Sequence, residues 1–253
     1  MDQLNKQDAE QTNDVAARSP VPVSGLPAWK RLLDLGLILF LLPAVLFIGL
    51  ILAVVIKCGS RGPVFFRQQR VGYKGRLFTC YKFRTMKVNA ETESHRNYTQ
   101  QLIAGNAPMT KMDAKKDSRL IPLGAALRAT GLDELPQLIN VVRGEMSVIG
   151  PRPCIPYEYE KYEPWQQRRF DAVPGLTGLW QVSGKNRTTF AQMIQLDIEY
   201  ARRQSLRLDL EILFRTVPAL WTQCQDLRAN KRKGTKSEKQ PATPVNIGKP
   251  VSI

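Results

Sequence analysis

The sequence predicts an α+β, membrane-associated fold: a kinked N-terminal membrane helix, a small β-hairpin and several amphipathic helices. Three observations carry that reading. The run Leu32–Ile56 is apolar apart from Asp34, Pro43 and two glycines. Residues 63–86, PVFFRQQRVGYKGRLFTCYKFRTM, read as two short strands around a Gly72-Tyr73-Lys74-Gly75 turn. Leu135, Leu138, Ile139 and Val142 recur at helical spacing, as do the apolar residues across 190–221. The resulting plan is a flexible lead-in over 1–28, a membrane helix over 29–58 kinked at Pro43, a cytoplasmic domain over 59–227 and a basic, disordered tail over 228–253.

As a straight helix, Leu32–Ile56 would be about 37 Å long against a hydrocarbon core of about 30 Å. It begins too far from Met1 and is too long for a secretory signal. Lys30 and Arg31 flank one end, and Lys57, Arg61, Arg67 and Arg70 the other, so the positive-inside tendency draws both ends to the cytoplasm. Pro43 removes a backbone donor near the middle and favours a bend. A re-entrant helix that enters and leaves through one leaflet satisfies both facts, with Asp34 near the interface and pairing with Lys30 or Arg31. A simple crossing is the alternative.

In the second strand Lys82 and Arg84 alternate with Tyr81 and Phe83, which sends both cations to one face, where they could hold a diphosphate. The competing reading is a charged edge strand that discourages aggregation. Asp117, Arg119 and Arg128 follow a polar section, Val88 to Lys116. The stretch TGLDELPQLINVVRGEMSVIGPRP then sets Asp133 and Glu134 at a helix start and Arg152 between Pro151 and Pro153. Asp133 or Thr130 can cap that helix, Pro136 fits its first turn and Gly144 its end. On spacing alone the favoured reading is that Asp133 is a cap and Glu134 a first-turn acid. As a pair they can bind a hard cation or supply a nucleophile, and a fixed arginine can grip phosphate.

Further along, Leu179 and Trp180 are expected at the membrane interface, and Asp197 and Asp209 in solvated or salt-bridging roles.

The net charge of +15 implies an anionic partner. The four cysteines lack CxxC spacing, which argues against a zinc site or disulfide framework. His95 is the only histidine, which excludes a histidine-rich metal site. Lys and Arg are spread along the chain with no nucleic-acid recognition motif. A structural adaptor would leave the acidic pair without a task. A membrane-bound, metal-dependent phosphatase or nucleotidase would use Asp133 and Glu134 as a metal-binding pair and is not excluded by these residues.

The ordered set KRLLDL with Pro43, FRQQRVGYKGRLFTCYKFRTM, DSRLIPLG, LRATGLDELPQLINVVRGEMSVIGPRP and VPGLTGLWQVSGKN resembles the bacterial sugar transferase family. Within it the likeness is to the short form of the monotopic polyprenyl-phosphate sugar-1-phosphate transferases (phosphoglycosyl transferases), and it runs from about Trp29 to Leu227. The resemblance implies transfer of sugar-1-phosphate from a UDP-sugar to undecaprenyl phosphate, with release of UMP, at the cytoplasmic face of the bacterial inner membrane. It implies Asp133 as nucleophile, Glu134 as a Mg²⁺ ligand and Arg152 as a phosphate clamp; charge and position add Lys82, Arg84 and Arg128 as phosphate contacts. The partners it implies are the UDP-sugar, the polyprenyl phosphate and inner-membrane lipid, with no nucleic acid; oligomeric state is left open. Gly131 stands where many relatives carry serine, and Lys185 where arginine is frequent.

Overall fold

The computed structural model describes residues 25–88, 119–184 and 188–237. His95, Asp117, Lys185, most of the lead-in and tail, and nearly all of the section from Val88 to Lys116 lie outside them.

Helix α1 spans Ala28–Gly59 and holds Pro43 within one continuous helical assignment. Strands β1 (Phe65–Val71) and β2 (Leu77–Phe83) pair antiparallel from Phe65↔Phe83 to Val71↔Leu77, as the hairpin pattern requires. Their turn is closed by Lys74 and Gly75 in the left-handed region. Helix α2 (Gly124–Thr130) leads into a 3-10 segment, Leu132–Gln137, and then α3 (Leu138–Arg143). Strands β3 (Ser147–Ile149) and β4 (Gly175–Thr177) form a second, parallel pair that the sequence reading did not contain. Gly150 and Gly175 make it possible: a Cβ on Gly175 would lie 2.0 Å from the Gly150 nitrogen, so only glycine permits that approach. Between these strands lie two single-turn helices, α4 (Pro156–Tyr159) and α5 (Pro164–Gln167). Helices α6 (Leu179–Val182), α7 (Phe190–Arg203) and α8 (Leu206–Ser237) complete the fold.

Helix α7 starts on a reciprocal cap between Thr189 and Gln192 and packs Phe190, Met193, Ile194 and Ile198 against Val71, Tyr162, Phe170 and Trp180. Trp180 is therefore a core residue, 3% exposed, with its indole N–H donated to Thr188 Oγ1 at 2.7 Å. This corrects the interfacial expectation: the turn that carries Trp180 is folded inward under α7. Leu179 is partly buried against a neighbouring cluster. Helix α8 runs ten residues past the expected tail boundary, and the arginine, alanine and lysines after Leu227 are sound helix formers.

Helix α1 is fixed by buried polar contacts at its start. Lys30 Nζ meets Asp209 Oδ2 at 2.5 Å and Tyr200 Oη at 2.9 Å, and all three side chains are buried. Asp34 Oδ1 accepts from Ser147 Oγ and the Val148 N–H, both at 3.0 Å. Asp34 thus binds the domain rather than Lys30 or Arg31, because β3 offers it two donors. Arg31 instead donates to the carbonyls of Val141 and Val142 at the end of α3. Of the two late aspartates, Asp209 pairs with Lys30 and Asp197 with Arg169, so the salt-bridging reading holds for both.

The Lys30–Asp209 pair makes a stability prediction. Lys30→Met leaves a buried aspartate uncompensated and lowers stability by about 3–5 kcal/mol, whereas Lys30→Met with Asp209→Leu recovers most of it. Thermal unfolding in detergent reads both, and a single variant as stable as the parent contradicts the buried pair.

Candidate active site

The segment carrying the acids is built differently from a capped α-helix. Thr130 Oγ1 donates back to Ala126 O (2.9 Å), so it ends α2 rather than starting the next helix. Gly131 makes the break with φ +73°, a left-handed conformation that favours glycine. Asp133 and Glu134 then lie inside the 3-10 segment with no side-chain cap at its N-terminus. Gly144, with φ +77°, ends α3 as expected.

The buried face of this segment mixes polar and apolar residues, with Val141 packed on Phe78 and Cys80 of β2. Asp133, Pro136, Gln137, Asn140 and Val141 are buried, while Ile139 and Val142 are exposed. The apolar stripe read from the sequence therefore points away from the domain along α3. Asn140 is what fixes the polar side: its amide donates to Thr79 O at 2.7 Å and to Glu145 Oε2 at 2.6 Å, and accepts from Tyr81 N–H at 3.2 Å. That stitch sets β2 beside the acids. Lys82 Nζ consequently lies 2.8 Å from Glu134 Oε1.

Arg152 approaches the same Glu134 oxygen, its Nη1 3.9 Å from Oε1. Its loop is held by backbone contacts to buried arginines. Arg169 donates to Arg152 O (2.8 Å) and Tyr162 Oη (3.0 Å) and pairs with the buried Asp197. Arg70 donates to Pro153 O at 3.3 Å, and Val71 N–H to Cys154 O at 2.9 Å. Asn140, Arg169 and Asp197 were not singled out as site residues from sequence; a buried amide on the acid-bearing helix was the only signal of the first.

Arg84 is not brought to the acids. It donates to Ser60 O (2.8 Å) and Arg61 O (2.7 Å), carbonyls just beyond α1.

Burial pushes the Asp133 carboxyl above its ordinary range. Lys82, Arg128 and Arg152 pull it back down, and the adjacent Glu134 adds to the rise. Asp133 is 8% exposed. The arrangement is a buried carboxylate beside a second acid, within the field of three cations. Among the described residues no group of three or more His, Cys, Asp or Glu comes together, so no all-protein metal cage is present. Two adjacent carboxylates do suit a magnesium ion that takes its remaining ligands from water and substrate phosphate.

Residues 26–223 match the sequence profile described as Bacterial sugar transferase. The chain belongs to that family. Among its relatives, the exopolysaccharide production protein ExoY of Sinorhizobium fredii is 36% identical over 199 residues, 79% of this chain and 87% of its own. The UDP-glucose:undecaprenyl-phosphate glucose-1-phosphate transferase of Caulobacter vibrioides is 37% identical over 211 residues, 80% of this chain and 73% of its own. The galactosyl transferase CpsE of Streptococcus agalactiae is 41% identical over 192 residues, covering 74% of this chain but 41% of CpsE. As a bacterial sugar transferase the chain is an enzyme of the phosphoglycosyl transferase class.

A pH dependence follows from the position of Asp133. In the nucleophilic role proposed below, the ionised form of Asp133 reacts, so activity is expected to fall on acidification at a pH above the ordinary aspartate range. Lys82→Met removes the largest force holding that carboxyl down and moves the acid limb of the pH–rate profile higher. A limb that stays fixed or moves lower contradicts this electrostatic coupling.

Proposed function

We propose that this chain transfers sugar-1-phosphate from a UDP-sugar to undecaprenyl phosphate through a covalent intermediate on Asp133. The observation that carries the reading is the buried Asp133 flanked by Glu134, Lys82, Arg128 and Arg152. The relatives' printed names supply the substrate classes. In the first step an Asp133 oxygen attacks the phosphorus bonded to the sugar; the bond to the bridging oxygen breaks and UMP leaves with that oxygen. In the second, a polyprenyl phosphate oxygen attacks the same phosphorus and the Asp133 carboxylate is released. Two half-reactions at one carboxylate let a soluble donor and a membrane-bound acceptor use the site in turn.

Like charges meet when a carboxylate attacks a diphosphate, so cations must be fixed before reaction. Lys82 and Arg152 are both held beside Glu134 Oε1, and Arg128 acts on Asp133 from α2. Magnesium, when bound, would be held by Glu134 with Asp133 nearby, and would supply charge neutralisation on the phosphates. Because Lys82 occupies Glu134 Oε1, donor binding must transfer Lys82 from that carboxylate to phosphate.

The same reading places the enzyme on the cytoplasmic face of the inner membrane. Helix α1 is the one described helix long and apolar enough to cross a bilayer. Both its ends pack on the domain: Asp34 and Ile38 against β3 and the Val141–Met146 cluster, Leu52, Ala53 and Ile56 against Phe83, Ile121 and Leu127. Between them Leu39–Ala44, more than a full turn, are exposed on every side. A re-entrant helix accounts for both facts. Exposed Phe214, Val217 and Trp221 on α8, with Ile139 and Val142 on α3, extend the apolar surface that would rest in lipid. Initiation of exopolysaccharide or related glycoconjugate assembly is the corresponding cellular role.

Purified enzyme with a panel of UDP-sugars is expected to turn over and release UMP continuously only when undecaprenyl phosphate and Mg²⁺ are both present. Asp133→Asn reduces that turnover on the order of 10³-fold or more. Continuous UMP release without lipid acceptor would point to a phosphatase or nucleotidase. For the membrane helix, cysteines placed at positions 28 and 59 are expected to react with an impermeant reagent from the same side; labelling from opposite sides contradicts the re-entrant path.

A further inference from the structure

The cavity beside the acids is lined by Arg70, Lys82, Glu134, Gln137, Arg152 and Gln181, among others. Lys82, Arg152 and Glu134 have tasks in phosphate chemistry and Arg70 braces the Arg152 loop; the two glutamines have no such task. Gln137 follows Glu134 by three residues in a 3-10 segment, where side chains at i and i+3 eclipse, so its amide lies on the same face as the acid. It is 3% exposed, and its side chain makes no hydrogen bond among the described residues. Gln181, on α6, also lines the cavity. Its Nε2 donates to Leu176 O at 3.4 Å, which orients the amide and leaves Oε1 buried without a partner.

A buried amide oxygen without a donor is costly, and the identity of the missing donor is chemically restricted. Phosphate oxygens that are ionised have no proton to give it. A sugar hydroxyl does, and it can accept from an amide N–H as well. A glycosyl phosphate carries such hydroxyls next to its phosphate, so a ligand whose phosphate lies on Lys82 and Arg152 brings them to the glutamines. The geometry points to Gln137 and Gln181 as the pair that reads the sugar of the donor, through hydroxyls close to the transferred phosphate. They are binding and specificity residues of the site, and the inference rests on the UDP-sugar reading above.

The test compares two ligands in the Asp133→Asn background, which prevents turnover during the measurement. Calorimetry with Mg²⁺ present gives the dissociation constants of UDP and of the UDP-sugar the parent enzyme uses. Gln137→Leu and Gln181→Leu are each expected to weaken the UDP-sugar by about fivefold to tenfold, the loss of one hydrogen-bonding group, and to leave UDP within about twofold. Retained UDP binding also reports that the variant is folded. If a leucine variant loses both ligands by unfolding, asparagine at that position, which withdraws the amide by one methylene, is expected to give the same selective loss. Equal weakening of both ligands, or no change in either, overturns the sugar-reading role. An Asp133→Asn enzyme that binds UDP but no UDP-sugar contradicts the donor assignment itself, and this inference with it.

Discussion

In the proposed reaction Asp133 has to keep a negative charge where little water reaches it, and the surrounding cations supply what water would have given. An ionised carboxylate in such a place is strongly disfavoured unless cations are held nearby. Each cation arrives on a different element: Lys82 on β2, Arg128 on α2 and Arg152 on the loop after β3. None could act if its element drifted. The contacts that prevent drift are themselves polar and buried, Asn140 between α3 and β2, and Arg169 with Asp197 behind the Arg152 loop. The close glycine contact of β3 with β4 then fixes the level at which that loop leaves the sheet.

A second constraint comes from the apolar surface. The exposed residues of α1, α3 and α8 are too many for an ordinary soluble surface, yet the domain beneath them is well packed. The two properties are joined by a few charged residues. Lys30 and Asp34 enter the domain from the first turns of α1, while Arg31 and Arg84 satisfy carbonyls at the ends of α3 and α1. In the proposed enzyme, these ties hold the carboxylate near the headgroup level, where a lipid phosphate can reach it.

Much of this could be read in the amino-acid order. The hairpin follows from strand alternation around Gly72 and Gly75, the α3 stop from Gly144, and the long helix from its composition. Asp133, Glu134, Lys82 and Arg152 also proved to be neighbours. Other features rest on contacts between distant positions, which local pattern does not encode. Asn140 bonds to Thr79 across 61 residues and Lys30 to Asp209 across 179. Alternation also gave no sign that the Arg84 guanidinium bonds to the carbonyls of Ser60 and Arg61, more than twenty residues back along the chain. An apolar stripe has the same period whichever way it faces, so Ile139 and Val142 gave no sign that they point outward. The three-residue strands β3 and β4 are too short for a period of two to register.

In the proposed mechanism Asp133 carries the sugar phosphate between donor and acceptor. Mass spectrometry of the enzyme mixed with Mg²⁺ and its UDP-sugar, without lipid acceptor, tests it most directly. The account predicts a protein heavier by one sugar phosphate, with the added mass on the peptide containing Asp133, and its loss on addition of undecaprenyl phosphate. Product formed at full rate with no adduct on Asp133 at any time would show direct transfer and contradict the account.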